Sequence, residues 1–248
     1  MKLFAVLTLL VHLLTPAPDL IGGVIFIGDS YVLTSHWPDY TAEYAGIEKY
    51  YVSAAGGTGF VNTPNVRVGE ELRPTNFLTL LEDACYAVGD DDYRWIIVEG
   101  GYNDQYYGED EILPQIRQFC DMAREYFPNA QVVIGVNAWH QDYEEIRHMI
   151  QNARESYKKG AEQNGAWFLE GLEFVLRDQD VFANDHFHPK EAGGKLLGEY
   201  TGQYLMDAVG VPEEPEKEKS HRAWIIYAAV GIGLIVMERF LYRRRASR

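Results

Sequence analysis

The sequence predicts an α/β domain built on a parallel sheet with helices on both faces, and three observations carry that reading. Short, nearly continuous apolar runs rich in β-branched and aromatic residues recur: "GVIFIG", "YYVSAA", "RWIIVEG", "QVVIGVNAW" and "AWFLEGLEF". Such runs are what strands buried on both faces look like. Stretches with helical spacing of apolar residues lie between them. Alternation of the two implies right-handed crossovers between parallel strands.

Taken in order, the first strand, "GVIFIG", stops at Gly28-Asp29-Ser30. Asp and Ser are also common N-caps of a following helix. The second strand, "YYVSAA", runs into Gly56, Gly57, Thr58 and Gly59. The helix "NFLTLLEDACYAV" leads to the third strand, "RWIIVEG", which ends in Gly100, Gly101, Tyr102, Asn103 and Asp104. The helix "ILPQIRQFCDMAREYF" precedes the strand "QVVIGVNAW". In the helix "EEIRHMIQNARESYKKGAEQNG", Ile146, Ile150 and Ala153 share one face, and Gly165 is its C-terminal stop. The strand "AWFLEGLEF" follows, then a loop, "FANDHFHPKEAGG", and a closing helix, "EAGGKLLGEYTGQYLMDAVG". No internal repeat is present.

The chain has 248 residues and a formal net charge of −15. An acidic surface repels phosphate backbones, so nucleic acid is not an expected partner. Cys85 and Cys120 are the two cysteines, and neither sits in a CxxC or a Cys/His cluster. They read as buried thiols; a disulfide would require export. The ends suggest export. Residues 1–22 begin with "MKLFAVLTLLVHLL", a basic start and a short apolar run laid out like a secretory signal, although His12 interrupts it. The globular domain is expected over 23–211, followed by a charged, Pro-containing linker over 212–221. Residues 222–242 have the length and apolarity of a membrane span, and the tail 243–248 opens with Arg243, Arg244 and Arg245. The expected arrangement is a single-pass anchor with the domain outside the cell.

In parallel sheets functional groups gather at the C-terminal ends of the strands. Here those ends carry the parts of an acyl-transfer site. A serine hydroxyl is a weak nucleophile until a base takes its proton, and His188 is the candidate base for Ser30. Asp185 precedes His188 by three residues, so one turn can deliver the carboxylate that fixes the imidazole. Donors for an oxyanion are the Ser30 N–H, a glycine N–H from "AAGGTGF" and the Asn103 amide. Asp29 is read as holding the turn that presents Ser30. Asp185, His186 and His188 with His140 are the residues a metal site would use, and no HExxH or similar pattern supports one. His36, Trp37, Trp139 and His140 are given no catalytic role.

These four stretches, "FIGDSY", "AAGGTGF", "GGYND" and "DHFHP", resemble the blocks of the SGNH hydrolases, also called GDSL lipases/esterases. The resemblance runs from about Val24 to Val211. It implies a flavodoxin-like three-layer α/β/α fold. It implies a catalytic triad of Ser30, His188 and Asp185, and an oxyanion hole from Ser30, Gly57 and Asn103, with Gly56 the alternative to Gly57. No cofactor and no metal are needed. The expected activity is hydrolysis of carboxylic esters, with acetyl groups on cell-surface carbohydrate as the expected substrate. A lipase or lysophospholipase and a non-catalytic glycan-binding surface protein are the alternatives.

Overall fold

The structure, a computed structural model, describes residues 21–68, 71–89 and 92–210. The expectations for a leader in 1–22 (bar residues 21 and 22) and for a linker, span and tail in 212–248 lie outside the described residues. Among the described residues no helix is long and apolar enough to cross a membrane.

Five parallel strands form the central sheet: β1 (Gly23–Gly28), β2 (Tyr50–Ala54), β5 (Tyr93–Gly100), β6 (Gln131–Val136) and β7 (Trp167–Phe168), in spatial order β2-β1-β5-β6-β7. Every residue of β1 is buried, as are Ile96, Ile97 and Val98 of β5 and Val133 and Ile134 of β6. That burial on both faces is why these segments read as unbroken apolar runs. The helices are α1 (Ser30–Ser35), α2 (Trp37–Ala45), α3 (Phe77–Val88), α4 (Glu109–Tyr126), α5 (Glu144–Gln163) and α6 (Glu191–Ala208). Ile150 and Ala153 of α5 are buried and Ile146 packs against the same core. Gly165 turns the chain out of α5 with φ +69°.

Helix α6 returns across the molecule to α2. Its Gly194, Gly198 and Gly202 fall four residues apart, and an added Cβ would meet Ser35 O at 1.9 Å, Tyr40 Cβ at 2.4 Å and Tyr44 Cδ1 at 2.8 Å respectively. The absence of side chains along this stripe is what lets the two backbones approach.

The fold departs from the sequence reading at three places. The run "AWFLEGLEF" is a strand only at Trp167–Phe168; Leu169 N–H still donates to Ile134 O, but Gly171, at φ +90°, turns the rest into a 3-10 turn over Leu172–Phe174. An antiparallel ribbon, β3 (Asn65–Val68) with β4 (Glu71–Pro74), follows the glycine loop. Val66 and Arg73 are half-buried while Asn65, Arg67, Leu72 and Pro74 are exposed, so it lacks the continuous apolar run of a core strand. Helix α2 is the third. His36 breaks the helical path with φ +55°, and Pro38 begins a new helix that buries Trp37, Thr41 and Ala42.

Candidate active site

The C-terminal ends of β1, β2 and β5 and the loop before α6 meet at one rim. After β1 the chain turns sharply into α1 at Gly28, where an added Cβ would sit 2.2 Å from Val32 Cγ2 and 2.7 Å from Glu99 O. Only glycine allows that elbow. Asp29 caps α1, its Oδ1 accepting the Tyr31 N–H at 2.8 Å, and this leaves Ser30 at the mouth of the turn. Ser30 Oγ lies 2.8 Å from His188 Nε2, and His188 Nδ1 lies 2.6 Å from Asp185 Oδ2. An ionised carboxylate only accepts, so Nδ1 carries the ring proton and the Nε2 lone pair faces the hydroxyl. Asp185 Oδ1 also accepts the N–H groups of Phe187 and His188, each at 3.0 Å. One tight turn thus delivers both side chains. Burial pushes the Asp185 carboxyl upward, but its bonds to the His188 ring and to those two N–H groups outweigh it and hold it below the usual carboxylate range.

Asn103, in the 3-10 turn after β5, reaches the same rim. Its Nδ2 donates to Asp29 Oδ2 at 2.9 Å and to Thr58 O at 3.0 Å. Of the two glycines weighed from sequence, Gly56 is the one beside the serine: a Cβ there would stand 3.9 Å from Ser30 Cβ. Gly57 instead takes the left-handed turn, φ +78°, with its added Cβ facing Pro64 and its carbonyl accepting from Asn62 Nδ2 at 2.6 Å. The geometry therefore shifts the preference from Gly57 to Gly56. Among the described residues, neither the Ser30 nor the Gly56 N–H has an acceptor.

Residues 26–196 match the family model for the GDSL-like lipase/acylhydrolases, which is most of the chain. The chain belongs to this family. It is an SGNH/GDSL-type esterase or acylhydrolase. Solved structures of the same fold include a candidate SGNH hydrolase from Slackia heliotrinireducens, 19% identical, with TM-score 0.54 over 73% of this chain and 97% of that one. They also include a carbohydrate esterase family 2 enzyme with a carbohydrate-binding domain from Corynascus thermopiles, 17% identical, TM-score 0.58, covering 79% of this chain and 68% of that one. A third is an acetyl xylan esterase from Butyrivibrio proteoclasticus, 18% identical, TM-score 0.52, covering 77% and 65%. No curated protein sequence matches the chain.

Behind the rim of this GDSL-family site lies a layer of buried acids, of which the sequence reading names Asp29 and Asp104 and passes over Glu99. Asp104 accepts four hydrogen bonds: Phe60 N–H at 2.6 Å, Val61 N–H at 3.2 Å, Asn62 N–H at 2.8 Å and the Tyr157 hydroxyl at 2.7 Å. It thereby ties the glycine loop to the turn that carries Asn103. Gly59 permits this approach, since an added Cβ would sit 2.2 Å from Asp104 Oδ1. Glu99, buried at the end of β5, accepts from Asn137 Nδ2 at 2.8 Å, and Asn137 Oδ1 accepts the Tyr102 N–H at 2.9 Å. Burial raises Glu99 well above the carboxylate range, and the neighbouring Asp29 raises it further. Burial pushes Asp29 up to about 7, against the bond from Tyr31 N–H and the pull of His188. Both Asp29 oxygens accept N–H donors, which favours its ionised form, whereas burial beside Asp29 favours the protonated form of Glu99 against its bonds from Asn137 and the Trp37 indole. The signal available in sequence was the carboxylates flanking "GGYN" at a buried strand end.

Among the described residues, no three His, Cys, Asp or Glu side chains gather to hold a metal ion. His186 and His140 instead each contact the Tyr143 ring, at 4.2 and 5.3 Å between centroids. Cys85 and Cys120 are both thiols, and burial pushes Cys120 up to about 11.

Proposed function

We propose that the chain is a serine esterase that removes small acyl groups, acetyl above all, from carbohydrate hydroxyls. The observation that carries the reading is the unbroken relay from Ser30 Oγ to His188 to Asp185, with contacts of 2.8 and 2.6 Å. Ser30 Oγ attacks the ester carbonyl carbon while its proton passes to His188 Nε2. The carbonyl oxygen becomes an oxyanion facing the N–H groups of Ser30 and Gly56. The Asn103 amide joins them by sharing the hydrogen it gives to Thr58 O. Collapse breaks the bond to the alcohol, which leaves with the proton from His188. A water molecule then attacks the acyl-serine, His188 takes its proton, and the carboxylic acid departs with Ser30 restored.

The choice of acetylated carbohydrate draws on the acetyl xylan esterase and the carbohydrate esterase of like fold, and on the polar surface around the His188 turn. A second reading, a lipase-like hydrolase of long acyl chains, draws on Leu33 and Tyr106, exposed apolar side chains three residues beyond Ser30 and Asn103. Rates on p-nitrophenyl acetate, butyrate and decanoate decide between them. The acetate is expected to be the best substrate, and Ser30→Ala is expected to lose turnover by about 10⁴-fold or more together with fluorophosphonate labelling. Preference for decanoate favours the second reading. A wild-type protein that neither hydrolyses these esters nor labels would refute both.

A further inference from the structure

A polar cavity of about 450 Å³ lies beside the His188 turn, between the loop after β6 and residues 179–190. We propose that it binds the alcohol portion of the ester, and that this alcohol is a sugar ring. The proposal rests on the serine-esterase reading above and deepens it.

The direction of the chemistry places the alcohol. His188 must hand its proton to the departing oxygen, so the leaving group lies on the His188 side of Ser30. The carbonyl oxygen lies toward Gly56 and Asn103, where the oxyanion donors are. The cavity shares its wall with the turn that carries His188, through Ala183, Asn184 and His186. It is therefore on the alcohol side. Its volume falls within the roughly 300–1,000 Å³ of small-molecule sites.

Its lining matches a polyhydroxylated ring. Asp142 and Asp180 supply acceptors, Lys190 supplies donors, and Gln179 and Asn184 supply both. A long acyl chain would strand these groups. One wall is aromatic: the Tyr143 and His186 rings stack at 4.2 Å with an interplanar angle of 23°. Stacked rings offer a flat apolar face to the C–H face of a sugar. The backbone is shaped to present His186 there. His186 sits at φ +59°, uncommon for a residue with a side chain, with its N–H bonded to Ala183 O at 2.9 Å. Its neighbour Phe187 turns elsewhere, stacking on Tyr102 at 4.1 Å and touching Tyr31 at 5.0 Å. The turn thus sends one ring into the core, one to Ser30 and one into the cavity.

The test compares the full chain with its Tyr143→Ala and Gln179→Ala variants on p-nitrophenyl acetate and on an acetylated xylo-oligosaccharide. The two substrates share the acyl group and differ in the alcohol. Each variant is expected to lose roughly tenfold in kcat/KM on the sugar ester, mostly through KM, while staying within about twofold on the aryl ester. Variants that treat the two substrates alike, whether unchanged or equally impaired, overturn the proposal. A wild type that cleaves the aryl ester but not the sugar ester also overturns it and leaves the esterase reading standing. A wild type inactive on both removes the esterase reading, and the proposal with it.

Discussion

Replacing Asp104 by Asn tests whether the site is held by its buried acids. The carboxylate spends both oxygens on two donors each: Val61 and Asn62 N–H at Oδ1, and Phe60 N–H and the Tyr157 hydroxyl at Oδ2. An amide keeps one accepting oxygen and offers an NH₂ in place of the other. Its least harmful orientation points the NH₂ at Tyr157, whose hydroxyl can turn to accept. The Phe60 N–H is then left facing a donor. One buried N–H without a partner costs about 1–3 kcal/mol, and loss of charge assistance in the remaining bonds costs about 1 kcal/mol each. The sum is a destabilisation of about 3–5 kcal/mol, large against a typical domain stability of roughly 5–15 kcal/mol but compatible with a folded variant. The assay is urea unfolding of wild type, Asp104→Asn and Tyr157→Phe. Tyr157→Phe removes one of the four bonds and should cost less, about 1.5–3 kcal/mol. Because the bonds fix the loop carrying Gly56, kcat should fall up to about 100-fold in Asp104→Asn while KM changes less. Loss of under about 1 kcal/mol, with kcat intact, would show that Asp104 does not anchor the loop.

The two glycines are separable by opposite outcomes. Gly57→Ala should lose about 1–2 kcal/mol from its left-handed turn, whereas Gly56→Ala, free of that strain, should keep its urea midpoint and lose kcat by crowding the oxyanion beside Ser30; equal activity losses in both would restore Gly57 as a candidate donor. Glu99→Gln should gain stability relative to wild type as pH rises. Burial keeps Glu99 protonated in the folded state while the unfolded chain ionises near 4.5, so folding takes up a proton above that pH. The stability owed to that proton is complete below 4.5 and declines as pH climbs toward the raised folded value. Glutamine is neutral throughout, so the gap should widen by up to about 1.4 kcal/mol per unit between about pH 5 and 7, and a pH-independent gap in urea unfolding would refute the assignment.

The sheet was legible because its strands are buried on both faces, which leaves unbroken apolar runs ending in small and polar residues. The candidate site residues stood out for a related reason. Ser30, Asp185 and His188 sit where a buried strand stops or a turn begins, inside blocks that resemble those of a known family. What stayed hidden depends on distance between segments. Gly56 and Gly57 are neighbours of the same type, and only the turn's φ angles distinguish the one beside Ser30 from the one facing Pro64. Asn137 looks like the end of a strand until its side chain is seen spanning Glu99 and the Tyr102 N–H. The ribbon at 65–74 is half-exposed, so no periodic apolar pattern marks it. Helix α2 hid behind His36, whose left-handed backbone no local pattern announces.

The buried acids explain how a rim built from separate loops can be rigid. Each catalytic loop is short of partners of its own, because loop N–H groups at a strand end have no ladder to join. Asp29, Glu99 and Asp104 answer that need from below, and each reaches a different loop. Asp29 joins the Ser30 turn to Asn103. Asp104 joins the Asn103 turn to the glycine loop. Glu99, through Asn137, fixes the backbone just before Asn103. Three neighbouring carboxyls would repel if all were ionised, and the burial that favours the neutral form of Glu99 relieves that. The donors that face the oxyanion are thereby fixed before substrate arrives, which is where an acyl-transfer site gains most of its advantage over water. An acid layer of this kind sets alignment of the site against alkaline stability, because a buried Glu99 raised above the carboxylate range is expected to cost stability as pH rises.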